Sequence, residues 1–123
     1  MIGIFRIDTP TEKRLMVYRS SFKWCGETFV IHRTPRIAIR HGFASGWRVS
    51  HKRTGCGVLR ETQENGRRLH PAYPLPGEAR EASLFFLRAK GRIAVKAAIE
   101  KARARSAARE IGADEAAHDP CYY

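Results

Sequence analysis

The chain has 123 residues, enough for one domain with a real core and too few for two. Lys and Arg outnumber Asp and Glu by 23 to 12, a formal net charge of +11, while an apolar fraction of 43% is ordinary for a globular protein. No apolar run approaches the ~20 residues that cross a bilayer, and no charged segment precedes a hydrophobic one at the amino terminus, so a cytoplasmic protein without a signal peptide is expected.

Residues 1–27 read as an N-terminal hairpin. Gly3 to Ile7 and Leu15 to Tyr18 lean to strand, with a turn at Thr9 to Glu12. The same four residues fit a helix opening, with Thr9 as cap, Pro10 in the first position and Glu12 closing a capping box. The short β-leaning run after them favours the hairpin.

Residues 28–62 read as a basic antiparallel sheet. Phe29 to His32, Arg36 to His41 and Trp47 to His51 are rich in β-branched or aromatic residues, and Thr34-Pro35 and Gly42 to Gly46 separate them. Thr54-Gly55-Cys56-Gly57 is a further turn, Val58 to Thr62 a returning strand, and Asn65-Gly66 its end. From Thr28 to Arg60 there are seven Lys or Arg residues, three His and no Asp or Glu. Strand alternation puts Arg36 and Arg40 on one face of a strand and Arg48, Ser50 and Lys52 on one face of the next, with Ile37, Ile39, Trp47 and Val49 turned the other way. The expected sheet has one greasy and one cationic side.

Residues 70–77 hold Pro71, Pro74 and Pro76 and read as a stiff connector. Residues 78–109 are rich in Ala, Glu, Lys and Arg and predict a long helix, with a break near Gly91 as its variant. Leu84, Leu87, Gly91, Ala94, Val95, Ala98, Ile99 and Ala102 share its core arc. A thinner ridge of Phe86, Ile93, Ala97 and Ala104 lies roughly opposite; Phe86 and Ile93 are candidates for contact with a second copy or another partner. Arg92, Lys96 and Arg103 run along one line between the ridges. Residues 110–123 carry four acids and no Lys or Arg, and read as a flexible acidic tail.

The expected architecture is α+β: an antiparallel sheet of three to five strands packed against one long C-terminal helix, in a single domain spanning 1–109. In outline alone this resembles the three-strand-and-helix DNA-binding domains of integrases and the double-stranded RNA-binding domain. No residue-level signature of either is present, so no functional residue is carried across.

The inventory for catalysis is thin. Ser50 and His51 are neighbours on a strand and point apart, which rules against a nucleophile and base pair. His32, His41 and His51, with Cys25 or Cys56, match no zinc spacing, so no metal or cofactor is expected. Cys25, Cys56 and Cys121, odd in number and widely spaced, read as free thiols. The Thr54 to Gly57 turn is a weak candidate anion cradle.

Charge and geometry together point to a non-enzymatic nucleic-acid-binding protein. Its phosphate contacts would come from Arg36, Arg40, Arg48, Ser50, Lys52 and Arg53 on the sheet, with Arg92, Lys96 and Arg103 as a second line. The alternative is a small accessory or inhibitor protein of phage or mobile-element type that docks on a host nucleoprotein complex.

Overall fold

A computed structural model describes residues 2–8, 13–40, 42–59, 62–64, 67–69 and 72–111. Within them the chain runs β1 (Gly3–Asp8), β2 (Lys13–Tyr18), β3 (Ser20–Trp24), β4 (Glu27–Arg33), α1 (Arg36–Arg40), β5 (Trp47–His51), β6 (Thr62–Glu64), β7 (Arg67–Leu69), α2 (Pro76–Lys90) and α3 (Arg92–Ile111). This is an α+β fold with antiparallel sheets and C-terminal helices packed on the central sheet.

The β1–β2 hairpin forms as its composition predicts, in a register that sets Phe5 opposite Met16 and Ile4 opposite Val17. Its turn, residues 9–12, lies outside the described residues. The chain then bends at Arg19 into β3, which sequence reasoning passed over because Ser20-Ser21-Phe22-Lys23 lacks a β-branched run. Strand β3 pairs with β4 through a two-residue turn, Cys25-Gly26, in which both φ angles are positive, at 50° and 77°. That geometry joins right-twisted strands without splaying them. The central sheet has the order β3-β4-β5.

Arg36–Arg40 is a helix rather than the expected strand. Pro35 sits where its missing N–H costs nothing, and its carbonyl accepts from Ile39 N–H at 3.1 Å. At the other end Gly42 adopts φ 89°, with Gly42 N–H on the Ile39 carbonyl and Phe43 N–H on the Ala38 carbonyl, both at 3.0 Å. This is a Schellman stop, and it requires the left-handed conformation that glycine takes without strain. Proline at the start and glycine past the end outweighed the β-branched Ile37 and Ile39.

After β5 the chain makes a tight turn. Gly57 forms an isolated bridge to Ser50 and Val58 N–H bonds the Val49 carbonyl at 3.0 Å, but Val58 and Leu59 are not in a strand; residues 60 and 61 of the expected strand lie outside the described residues. The residues beyond form the short β6–β7 hairpin, with Asn65-Gly66 between its strands outside the described set. The connector does more than span a gap. Tyr73 exchanges backbone hydrogen bonds with Trp47 at 2.8 and 2.9 Å, extending the edge of β5. Gly46, beside that bridge, is tightly placed: a Cβ there would sit 3.0 Å from the Tyr73 carbonyl oxygen, and its φ of 146° is one that residues with side chains rarely adopt.

The helical segment breaks at Gly91, which has φ 89° and whose N–H bonds the Leu87 carbonyl at 3.0 Å. Ala79, Ser83 and Leu87 of α2 are buried, as are Val95, Ile99 and Ala102 of α3. Their apolar members form the main core with Phe22, Phe29, Ile31, Val49, Cys56 and Val58. Ala94, expected on the core arc, is exposed. Cys56 is buried and disulfide-bonded, not a free thiol, while Cys25 is free. Among the described residues no helix is long and apolar enough to cross a membrane. The acidic tail from residue 112 lies outside the described set.

The opposite face of the central sheet is also covered. Phe5, Ile7 and Tyr18 of the hairpin pack on Val30 as a second core, and the Phe5 ring lies 5.1 Å from that of His32. The sheet is therefore sandwiched, with helices on one side and the hairpin on the other.

Candidate nucleic-acid interface

That sandwich decides which cations reach solvent. The register opposes Val30 to Ser50 and His32 to Arg48, so Arg48 and Ser50 share the face beneath the hairpin. Arg48 is 9% exposed; its Nε donates to Thr34 Oγ1 at 2.8 Å and its Nη2 to the Ala44 carbonyl at 2.9 Å. Thr34 Oγ1 donates in turn to the Ala44 carbonyl at 2.6 Å. Arg48 thus ties the loop after α1 to Thr34 ahead of it, with its guanidinium hydrogen-bonded within the chain. Ser50 is buried too, its hydroxyl hydrogen-bonded to His32 Nε2 at 2.7 Å.

The two buried histidines lie on opposite faces and cannot share a ligand. His32 Nδ1–H donates to the Arg33 carbonyl at 2.7 Å, which leaves Nε2 to accept from Ser50. Burial, reinforced by the Arg48 charge and opposed by the Arg33 carbonyl, lowers its pKa from 6.5 to about 4. On the helix side, His51 Nδ1 meets Thr54 Oγ1 at 2.8 Å and Nε2 lies 3.5 Å from Glu27. Burial lowers its pKa also, against the opposing pull of Glu27. Both hydroxyl and imidazole pairs are enclosed, with Ser50 and Thr54 at most 2% exposed. Among the described residues no three His, Cys, Asp or Glu are grouped to hold a metal; His41 lies outside them.

In the Thr54 to Gly57 turn the two central amides are already engaged. Gly55 N–H bonds the His51 carbonyl at 2.8 Å, Cys56 N–H approaches Thr54 Oγ1 at 3.4 Å, and the Cys56 carbonyl accepts from His51 N–H at 2.8 Å. The Gly55 and Cys56 amides are thus turned to the chain itself.

Of the remaining predicted contacts, Arg36 and Arg40 are exposed on α1, and Lys52, Arg92 and Lys96 are exposed as well. Arg53 and Arg103 are exposed but engaged, the first with Glu27 at 2.8 Å and the second with Glu100 at 3.3 Å. Phe86 is half-buried against the main core with Lys90 over its ring, while Ile93 is 88% exposed and Phe85, unremarked in the sequence, 77%.

The structure adds two cations that strand alternation missed. The guanidinium of Arg33 lies 4.7 Å from the centre of the Trp47 ring, and that of Arg19 lies 5.8 Å away. Arg33 and Trp47 are cross-strand partners, which brings the pair together. Beside them opens a cavity of about 340 Å³ lined by Ile2, Met16, Val17, Tyr18, Arg19, Arg33 and Trp47.

No known family model matches this chain, and comparison with curated proteins and with solved structures finds no similar one. The functional reading therefore stands on the site itself.

Proposed function

We propose that the protein is a non-enzymatic nucleic-acid-binding protein whose phosphate contacts come from exposed, unneutralised cations. The observation that carries this reading is α1: Arg36 and Arg40 stand one helical turn apart, both exposed, close behind Arg33, and none of the three forms an ion pair among the described residues. Guanidinium forks spaced along a surface suit a phosphate backbone. Lys52, Arg92 and Lys96 supply further positive charge. The enclosure of Ser50 and Thr54 supports a binding role over a hydrolytic one.

The test is affinity for a 20-base-pair duplex across a salt series. Arg36→Glu with Arg40→Glu removes two phosphate contacts and flattens the slope of log K against log salt by about 2. Binding without salt dependence, or unchanged by that double variant, sinks the reading.

A second reading has one observation in its favour. The outer face of the N-terminal hairpin presents Ile2, Ile4, Leu15 and Val17, each more than half exposed. An accessory or inhibitor protein docking on a host nucleoprotein complex would use such a face. It predicts a nuclease-resistant protein partner that Leu15→Ser with Val17→Ser releases.

A further inference from the structure

We propose that the cavity beside Trp47 receives one unpaired base of a single-stranded nucleic acid, with Arg19 and Arg33 holding the phosphates on either side of it. The inference rests on the nucleic-acid reading and narrows it to a strand type and a place. Its lining is of two kinds. Ile2, Met16, Val17, Tyr18 and Trp47 make an apolar hollow, and among the described residues Arg19 and Arg33 are its charged lining. Among the described residues no carboxylate lines it. An occupant must therefore present a flat or apolar body with negative charge attached close by.

A nucleotide within a strand fits both demands. Bases stack on aromatic rings and on guanidinium planes with little regard to sequence, and the backbone supplies an anion on each side. A volume of about 340 Å³ lies at the small end of ligand pockets (~300–1,000 Å³) and suits one ring system with its sugar. In a duplex the bases are stacked and paired, so the duplex offers this hollow nothing. Arg19 and Arg33 already lie over the Trp47 ring, which holds their side chains near the rim before a ligand arrives.

The experiment uses the full chain carrying Trp24→Phe, so that Trp47 is the sole tryptophan, titrated with 15-base oligothymidylate, a 15-base-pair duplex, and a 15-unit strand lacking bases. Oligothymidylate is expected to quench Trp47 emission and to bind about tenfold tighter than the baseless strand, the scale of one stacked base. Arg19→Ala with Arg33→Ala weakens the single strand tenfold or more and the duplex less than threefold, with circular dichroism and melting temperature unchanged. Unaltered Trp47 emission at saturation, or equal affinity for the baseless strand, overturns the inference while leaving the broader reading in place. If no nucleic acid binds at all, both fall together. If dodecanoate quenches Trp47 and oligothymidylate does not, the cavity belongs to an aliphatic anion and the inference is wrong.

Discussion

The central sheet is covered twice, by different means. On the helix side, Phe22, Phe29, Ile31 and Val49 meet Leu87, Val95, Ile99 and Ala102 in a mainly hydrocarbon core. On the hairpin side Val30 shares the face with His32, Arg48 and Ser50, and the cover of Phe5, Ile7 and Tyr18 lies over a hydrogen-bonded polar layer. A hydrocarbon interface tolerates small shifts, because dispersion contacts have no preferred direction. A polar layer does not, since each buried donor must find its acceptor or lose on the order of 1–3 kcal/mol. The first cover should therefore supply bulk stability and the second a fixed register between hairpin and sheet.

Core truncations break this comparison most directly. Leu87→Ala on the helix side and Phe5→Ala on the hairpin side should each cost about 3–4 kcal/mol in urea unfolding. If Phe5→Ala were nearly neutral, the hairpin would not be a true second cover. Next in size is Arg48→Ala, expected to cost about 2–4 kcal/mol because it leaves Thr34 and the Ala44 carbonyl short of a buried charged donor. Arg40→Ala, exposed on α1, should stay within about 0.5 kcal/mol. Equal losses at the two arginines would erase the distinction between structural and surface cations.

Acid should weaken the fold through its buried histidines. Above pH 6.5 His32 is neutral in both folded and unfolded chains, and its contribution is intact. As pH falls from 6.5 towards about 4, the unfolded chain takes up a proton that the buried ring refuses, so stability declines. The slope is about 1.4 kcal/mol per pH unit for each proton so linked. His51, shifted the same way, adds to it. In His32→Gln the loss over that range should shrink; an unchanged pH profile of unfolding would remove His32 as its source.

The smallest effect concerns the Cys25-Gly26 turn. Cys25 holds φ 50°, a conformation costly for a residue with a side chain, so Cys25→Gly should stabilise the chain by about 1 kcal/mol or slightly less. Under non-reducing conditions iodoacetamide should label Cys25 and spare Cys56.

The α+β class, the first hairpin, strands β4 and β5, and the helix break at Gly91 were legible from β-branched runs, breakers and helical periodicity. Strand β3 was not, because its sequence is polar and its turn starts at a cysteine in place of the usual Asn or Asp. The helix at Arg36–Arg40 was written in Pro35 and Gly42, but Ile37 and Ile39 obscured it. The site was less legible than the fold. Alternation correctly set Arg48 and Ser50 apart from Trp47 and Val49, yet it says nothing about what lies above a face. A clue was present: residues 2–7 and 15–18 are apolar at positions of both parities, as Ile4, Phe5, Leu15 and Met16 show, which is more apolar surface than a freely solvated hairpin carries. Its inner face packs on the sheet, which removes Arg48 from solvent. The Arg19, Arg33 and Trp47 grouping depends on strand register and on the bend at Arg19, neither of which single-residue patterns encode.

The order in which the two covers enter the chain has a consequence during synthesis. The hairpin precedes the sheet and can close over its polar side as β5 emerges. The helices arrive later: from Val49 to Ile99 the ribosome needs about 3–10 s at roughly 5–20 residues per second. Through that interval the nascent chain displays Phe22, Phe29, Ile31 and Val49 without their lid. Slowing translation between residues 52 and 76 would lengthen this interval, raising the demand for holding chaperones and the share of chains lost to aggregation.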